Sequence, residues 1–86
     1  MANIASQEKR ILRTEREREE NRSYTSQVKT SFRRLRDAVE AGDSGRVESE
    51  HRLLASRVDK AVRSGALHRN NGARKKARAA RLARGD

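Results

Sequence analysis

The C-terminal segment of the chain carries the residues best suited to bind an anion. Arg74, Arg78 and Arg81 follow one another at spacings of four and three residues, which places them in one stripe along a helix. Lys75 and Lys76 widen that stripe. The guanidinium fork of arginine matches phosphate with two hydrogen bonds, and basic side chains release condensed counterions when they neutralise a nucleic acid. Residues 67–86 carry seven basic groups and one acidic group, so the pattern favours contact with a nucleic acid.

The first half of the chain holds a second basic sector, in which acidic residues are mixed. Helical spacing puts five basic side chains on one side, roughly opposite the apolar residues: Arg18, Arg22, Lys29, Arg33 and Arg36. Phosphate contact has a plain alternative here, because Glu15–Arg18 and Glu19–Arg22 have the spacing of intrahelical ion pairs. Both interpretations stay open for residues 13–20.

The composition indicates a single small domain with a thin core. The 86 residues have a formal net charge of +10 and 40% charged residues, and only 16 of them are large and apolar. Such a balance often accompanies disorder, but the chain has no proline and its charged residues are mostly good helix formers. We therefore expect helices that gain stability from an anionic partner, which favours the ordered state by mass action.

Several classes of protein are disfavoured by what the sequence lacks. The chain has no cysteine, and its two histidines lie far apart, so neither a disulfide nor a metal centre is expected. It shows no nucleophile with its base and no phosphate loop, which argues against an enzyme and a cofactor. The absence of a long apolar run argues against a transmembrane helix or a secretory signal, and the expected compartment is the cytoplasm.

Turn signals divide the chain into three predicted helices, which span residues 6–41, 44–64 and 70–84. Gly42 and Gly65 suit the left-handed residue that ends a helix. The expected N-caps are Asp43 or Ser44 for the second helix and Asn70 or Asn71 for the third.

Apolar residues recur along the predicted helices and indicate which faces form the core. In the first helix they are spaced four, four, three and four residues apart, at Tyr24, Val28, Phe32, Leu35 and Val39. The second helix offers Val47, Leu54, Val58 and Ala61, with His51 packed along the same line, and the third offers Ala73, Ala77 and Ala80. Leu67 is expected to close the end of the core. The sequence therefore predicts an all-α, three-helix bundle.

The first helix is predicted to be much longer than the helix that packs against it. At 1.5 Å per residue the two are about 54 Å and about 32 Å long, so the second reaches back only to about residue 21. The apolar line of the first helix turns polar at the same point. We expect residues 1–20 to extend beyond the bundle and to stay unpacked without the anionic partner.

Short motifs along the whole chain are similar to those of a known family. The N-terminal ones are Met1-Ala2-Asn3-Ile4, Ser6, Lys9-Arg10, Asn21, Ser23 and Glu40-Ala41-Gly42-Asp43. The most specific ones follow as Val58-Asp59-Lys60-Ala61, Gly65, Leu67-His68-Arg69-Asn70, Ala73-Arg74 and Lys76-Ala77. In this order and spacing they resemble the S-twenty family of bacterial small-subunit ribosomal proteins.

The resemblance implies a three-helix bundle that binds 16S ribosomal RNA directly and supports assembly of the small subunit. By matching position it implies RNA contacts at Ser6, Lys9, Arg10, Asn21, Arg22, Ser23, His68, Arg69, Asn70, Arg74 and Lys76. The charge pattern adds Lys29, Arg33, Lys75, Arg78 and Arg81. We expect a monomer within the ribosome that uses no small-molecule substrate. The sequence departs from the family in the glutamates of its first helix and in Gly72, where a better helix former is usual.

Two other functions would also suit a basic helical chain. A nucleoid-type DNA-binding protein needs similar charge, but the sequence shows no dimer seam and no exposed aromatic wedge. A membrane-surface module needs more apolar area than the alanines of the third helix provide. An enzyme is the least favoured of the alternatives.

Overall fold

The computed structural model describes the backbone of residues 3–85 and the side chains of residues 12–85. It contains three helices: α1 (Asn3–Ala41), α2 (Ser44–Arg63) and α3 (Arg69–Arg84). No strand occurs among the described residues. The predicted all-α class is confirmed. The helix bounds agree closely with the prediction, except that α1 begins three residues earlier than expected.

The turn between α1 and α2 uses Gly42 and Asp43 as predicted. Gly42 has a φ of +69°, and its N–H donates to the carbonyl of Val39 while the next N–H donates to the carbonyl of Ala38. These two bonds satisfy the last carbonyls of α1. Asp43 also begins α2, because its Oδ1 accepts the N–H of Arg46 at 3.2 Å. One short turn therefore ends one helix and caps the next, which makes α2 fold back along α1.

The core lies where α2 and α3 meet the second half of α1. The fully buried apolar side chains are Val28, Leu35, Ala38, Leu54, Val58, Ala61 and Ala79. The predicted lines on α1 and α2 are confirmed, since Tyr24, Phe32, Val39 and Val47 pack half-buried against this cluster. Leu67 also packs there, as expected, and His51 is half-buried.

The packed face of α3 differs from the prediction. Ala73 and Ala77 are exposed and Ala80 is half-buried, whereas Gly72 and Ala79 are buried. The predicted face was therefore wrong by about one residue of helix rotation, because alanines occur on several sides of α3 and do not define one face. Gly72 sets the actual orientation. A Cβ on Gly72 would lie 2.5 Å from Cγ2 of Val62, so only glycine permits this approach of α3 to α2.

Polar contacts fasten the helices where the core is thin. Ser31 is fully buried on α1, and its Oγ accepts a hydrogen bond from Nη1 of Arg57 on α2 at 2.8 Å. The same Arg57 nitrogen donates to the carbonyl of Gln27 at 3.4 Å. A buried hydroxyl without a partner is costly, so this arginine both satisfies Ser31 and joins the two helices.

The N-terminal part of α1 extends beyond the bundle. With 39 residues α1 is about 58 Å long, while the 20 residues of α2 span about 30 Å. The molecule measures 63 × 21 × 13 Å. Between residues 12 and 23, which we call the overhang, every side chain is exposed except that of Asn21. Leu12 is 63% exposed.

Candidate nucleic-acid interface

A groove between α1 and α3 collects basic side chains from both helices. Its wider part has a volume of about 610 Å³. The α1 side contributes Lys29, Arg33 and Arg36, and the α3 side contributes Arg78 and Arg81. Phe32 and Leu82 form the apolar floor between them. No acidic side chain lines this cavity among the described residues, so the cations have no counter-charge inside it.

The groove continues toward the start of α3. A second cavity of about 550 Å³ shares Lys29, Phe32 and Arg78 with the first and adds Lys75 as a sixth cation. Val28 and Leu67 extend its apolar floor. We call these two adjoining cavities the α1–α3 groove. Its six cations are Lys29, Arg33, Arg36, Lys75, Arg78 and Arg81.

The basic sector of α1 lies beside the apolar line and not opposite it as predicted. Lys29 and Arg33 each follow a core-facing residue by one position, a rotation of about 100° around the helix. That rotation turns them toward the side on which α3 packs. The helix angle could be obtained from the sequence, but the position of α3 could not, so the convergence of the two basic sets was missed.

Arg78 lies at the centre of the groove and is held there by an aromatic ring. Its Cζ stands 4.9 Å from the ring centroid of Phe32, within the range of a cation–π contact. The ring is half-buried against the core, whereas the arginine is exposed. A fixed ring therefore orients a solvent-facing guanidinium. The sequence pattern predicts a core position for Phe32 and indicates no role for Leu82.

The start of α3 is capped by His68 and not by Asn70 or Asn71, so that prediction was wrong. Nδ1 of His68 accepts the N–H of Asn70 at 3.1 Å. The His68 ring itself is exposed. Asn70 and Arg74 are both exposed on α3 and do not line the α1–α3 groove.

The side of α3 that faces α2 is less positive than the sequence indicated. Nζ of Lys76 lies 3.0 Å from Oδ1 of Asp59, with both side chains about half exposed at 47% and 51%. Arg69 lines the cavity that holds this pair. The sequence count of residues 67–86 did not include Asp59, because it lies 17 positions before Lys76 and only the folded bundle brings the two together.

The family-matched residues of α1 with described side chains do not line the groove. Asn21 is half-buried, and Arg22 and Ser23 are exposed at the end of the overhang. Ser23 Oγ accepts a hydrogen bond from Nε2 of Gln27 at 3.3 Å. The side chains of Ser6, Lys9 and Arg10 lie outside the described residues.

The overhang carries both charges in equal number. Its four arginines and four glutamates give a net charge of zero, and Nε of Arg13 lies 3.2 Å from Oε1 of Glu17. That contact is an intrahelical pair of the kind the sequence allowed for residues 13–20. Charge therefore concentrates in the bundle and not along the whole of α1.

Two kinds of feature are absent from the described part of the chain. Within it, no group of three or more His, Cys, Asp or Glu side chains could hold a metal ion. No helix in this part is both long and apolar enough to cross a membrane. An elongated helical bundle with six cations around one groove is typical of a small basic protein that binds a polyanion.

Comparison with known proteins identifies the family. The model of the family Ribosomal protein S20 matches residues 2–84, so the chain belongs to that family. It is similar to small ribosomal subunit protein bS20 of Corynebacterium diphtheriae, with 47% identity over 88% of this chain and 87% of the relative. The protein of that name from Frankia casuarinae is 47% identical over 94% and 91%. The one from Beutenbergia cavernae is 40% identical over 99% of each.

Proposed function

We propose that this chain binds 16S ribosomal RNA directly, and that as a structural component of the small ribosomal subunit it supports folding and assembly of that RNA. Membership of a ribosomal protein family supports this function. It also argues against enzymatic activity and favours a cytoplasmic location within the ribosome. Leu12 and Leu53 are the large apolar side chains exposed in the described part, which suits a protein that acts as a monomer.

The α1–α3 groove is the single observation that carries the proposal for where RNA binds. Six cations converge there from two helices without an acidic neighbour in either cavity lining. Cations held close together repel one another, and phosphates from RNA relieve that repulsion while releasing their condensed counterions. Arginine's fork also pairs with phosphate oxygens in a fixed geometry.

The bundle gives these contacts a fixed direction. The Gly42–Asp43 turn and the Arg57–Ser31 bond hold α2 against α1, and the close packing at Gly72 holds α3 against α2. RNA segments that repel each other can then be held at set positions by the groove and by the exposed residues at the start of α3. We propose that His68, Arg69, Asn70 and Arg74 form this second contact and that Asn21, Arg22, Ser23 and Lys76 extend it.

Recognition by shape and backbone fits this surface better than reading of paired bases. The major groove of A-form RNA is deep and narrow, and side chains cannot reach its base edges. The neutral overhang adds no net charge, so we propose that it follows the RNA surface and makes few ion pairs with phosphate. Ser6, Lys9 and Arg10 are further proposed contacts, based on the family motif alone.

The test is a binding series against 16S RNA and against duplex DNA of matched length, from 50 to 200 mM salt. About 6–10 phosphate contacts would lower the affinity by roughly 10³–10⁵ across that range. We expect a preference for 16S RNA that persists at physiological salt. A preference for duplex DNA would contradict the proposal and favour a nucleoid-type protein.

Paired variants test the groove. Arg33→Gln with Arg81→Gln removes one cation from each wall, and each phosphate contact contributes about 0.7–0.9 to the slope of log affinity against log salt. We expect the slope to flatten by about 1.4–1.8. Arg34→Gln with Arg46→Gln removes the same charge outside the groove and should flatten it much less. Equal flattening in both pairs would show that net charge matters and the groove does not.

A further inference from the structure

The α1–α3 groove has an apolar floor as well as basic walls, and phosphate contact alone does not explain that floor. A phosphate needs only cations and water around it. Phe32 and Leu82 lie between the basic residues in the wider cavity, and Val28 and Leu67 continue the apolar surface in the adjoining one. Basic walls and an apolar floor suit a ligand that has a charged edge and an apolar face. A nucleotide is such a ligand.

Arg78 supplies a flat surface at the right place. It is one of three residues common to both cavities, so it stands where they join. Phe32 lies on one side of its guanidinium, with 4.9 Å between Cζ and the ring centroid. The arginine is exposed and lines both cavities, so its guanidinium is accessible from the groove. Unstacked RNA bases stack on guanidinium planes as they do on aromatic rings.

The size of the groove limits what can enter it. Volumes of about 610 and 550 Å³ fall within the range of roughly 300–1,000 Å³ found for small-molecule sites. A paired base stays stacked inside its helix and cannot reach the floor. An unpaired base can be turned outward from a loop or a bulge.

We propose that the α1–α3 groove holds one unpaired nucleotide of RNA, with its base stacked on the open face of the Arg78 guanidinium. Lys29, Arg33 and Arg36 on one wall contact the phosphate on one side of the nucleotide, and Arg81 contacts the phosphate on the other. This inference rests on the proposed RNA binding and names the element of RNA that the groove takes. Since π-faces are common to all four bases, it requires no particular base.

The test uses two sugar–phosphate chains of five residues and equal charge. One carries a single adenine at its centre, and the other has stable abasic residues throughout. Fluorescence anisotropy at low salt gives the affinity of the full-length protein for each. Stacking of one base contributes about 1–3 kcal/mol, so the adenine should tighten binding about five- to 150-fold. A ratio near one for the unaltered protein would overturn the proposal and leave a site for phosphates only.

The matched variant is Arg78→Lys, which keeps the positive charge and removes the flat guanidinium. We expect the adenine advantage to fall below about two-fold, while affinity for the abasic chain changes by less than about two-fold. Arg34→Lys makes the same chemical change on α1 outside the groove and should retain the full advantage. An unchanged advantage in Arg78→Lys would place the base elsewhere and contradict the proposal.

A measurement on the unaltered protein makes the test independent of how the variant folds. The NMR signals of the Arg78 Nε–H and the Phe32 ring should shift with the adenine chain and not with the abasic chain. Shifts that are the same with both chains would contradict base stacking. Affinity for 16S RNA and for duplex DNA is measured in the same experiments. If adenine gives no advantage but the protein still prefers 16S RNA, only the nucleotide site is refuted. Loss of the 16S preference over DNA would refute the proposed function itself.

Discussion

The overhang and the second half of α1 belong to one continuous helix, yet they differ in almost every other respect. Residues 12–23 have four arginines, four glutamates and no buried side chain. Residues 24–41 bury Val28, Ser31, Leu35 and Ala38, and they line one wall of the α1–α3 groove. Arginine is common in both regions. The difference shows that arginines alone do not make a basic site. A second helix, here α3, must pack beside them, so that the cations line an apolar floor without acidic neighbours.

The two regions should contribute very differently to stability. Leu54 is fully buried opposite the second half of α1, and Leu54→Ala should lower the free energy of unfolding by about 2–5 kcal/mol. Leu12→Ala makes the same change at a side chain that is 63% exposed and should alter it by less than about 0.5 kcal/mol. Urea unfolding followed by circular dichroism measures both. A large decrease in the free energy of unfolding for Leu12→Ala would mean that the overhang is packed in solution.

The comparison also predicts a difference in RNA binding. Arg13→Gln with Arg16→Gln removes two charges from the overhang, where Arg13 already pairs with Glu17. We expect the slope of log affinity against log salt to flatten by less than about 0.5. The groove pair should flatten it by about 1.4–1.8, which corresponds to roughly 25- to 60-fold in affinity between 0.1 M and 1 M salt. If the overhang double variant flattened the slope as much as Arg33→Gln with Arg81→Gln does, α1 would bind RNA uniformly along its length.

The packing of α3 can be broken at a single position. Alanine is favoured over glycine in a helix by about 1 kcal/mol, yet Gly72→Ala should destabilise the bundle by about 1–3 kcal/mol. The reason is the 2.5 Å approach of the new Cβ to Val62 Cγ2. Thermal unfolding measures the change.

A second substitution separates the clash from other causes. Val62→Ala removes Cγ2, and Gly72→Ala introduced into that background should be neutral or stabilising. The two changes therefore couple, and a double-mutant cycle gives the size of the coupling. A native protein that is stabilised by Gly72→Ala alone would contradict the orientation of α3.

Local sequence features predicted most of the fold, and the errors lie where alanines leave the buried face open or where an unusual residue caps a helix. Gly42 and Asp43 signal their turn by conformation and capping, and the branched residues of α1 and α2 leave one choice of buried face. The alanines of α3 leave several choices, and the decisive residue there is a glycine, which shows no apolar pattern. Histidine is an unusual N-cap, so the sequence did not indicate that His68 caps α3.

The candidate site was predicted in its parts and not in its arrangement. The basic side chains of α1 and those of α3 were both recognised, since helical spacing alone groups Lys29 with Arg33 and Arg78 with Arg81. Their convergence depends on how α3 crosses α1, which follows from side-chain packing and not from spacing. The role of Phe32 as a support for Arg78 depends on the same crossing.

The smallest expected effect concerns Lys76, which the bundle pairs with Asp59. The pair is about half exposed, so Asp59→Asn should change the free energy of unfolding by no more than about 1 kcal/mol. It frees the lysine for phosphate, and the salt slope should steepen by up to about 0.7–0.9. Glu48→Gln frees Arg52 and raises the net charge equally, but Arg52 lies on α2, outside the proposed RNA contacts, and should leave the slope nearly unchanged. Equal slopes for the two variants would remove Lys76 from the proposed RNA-binding surface.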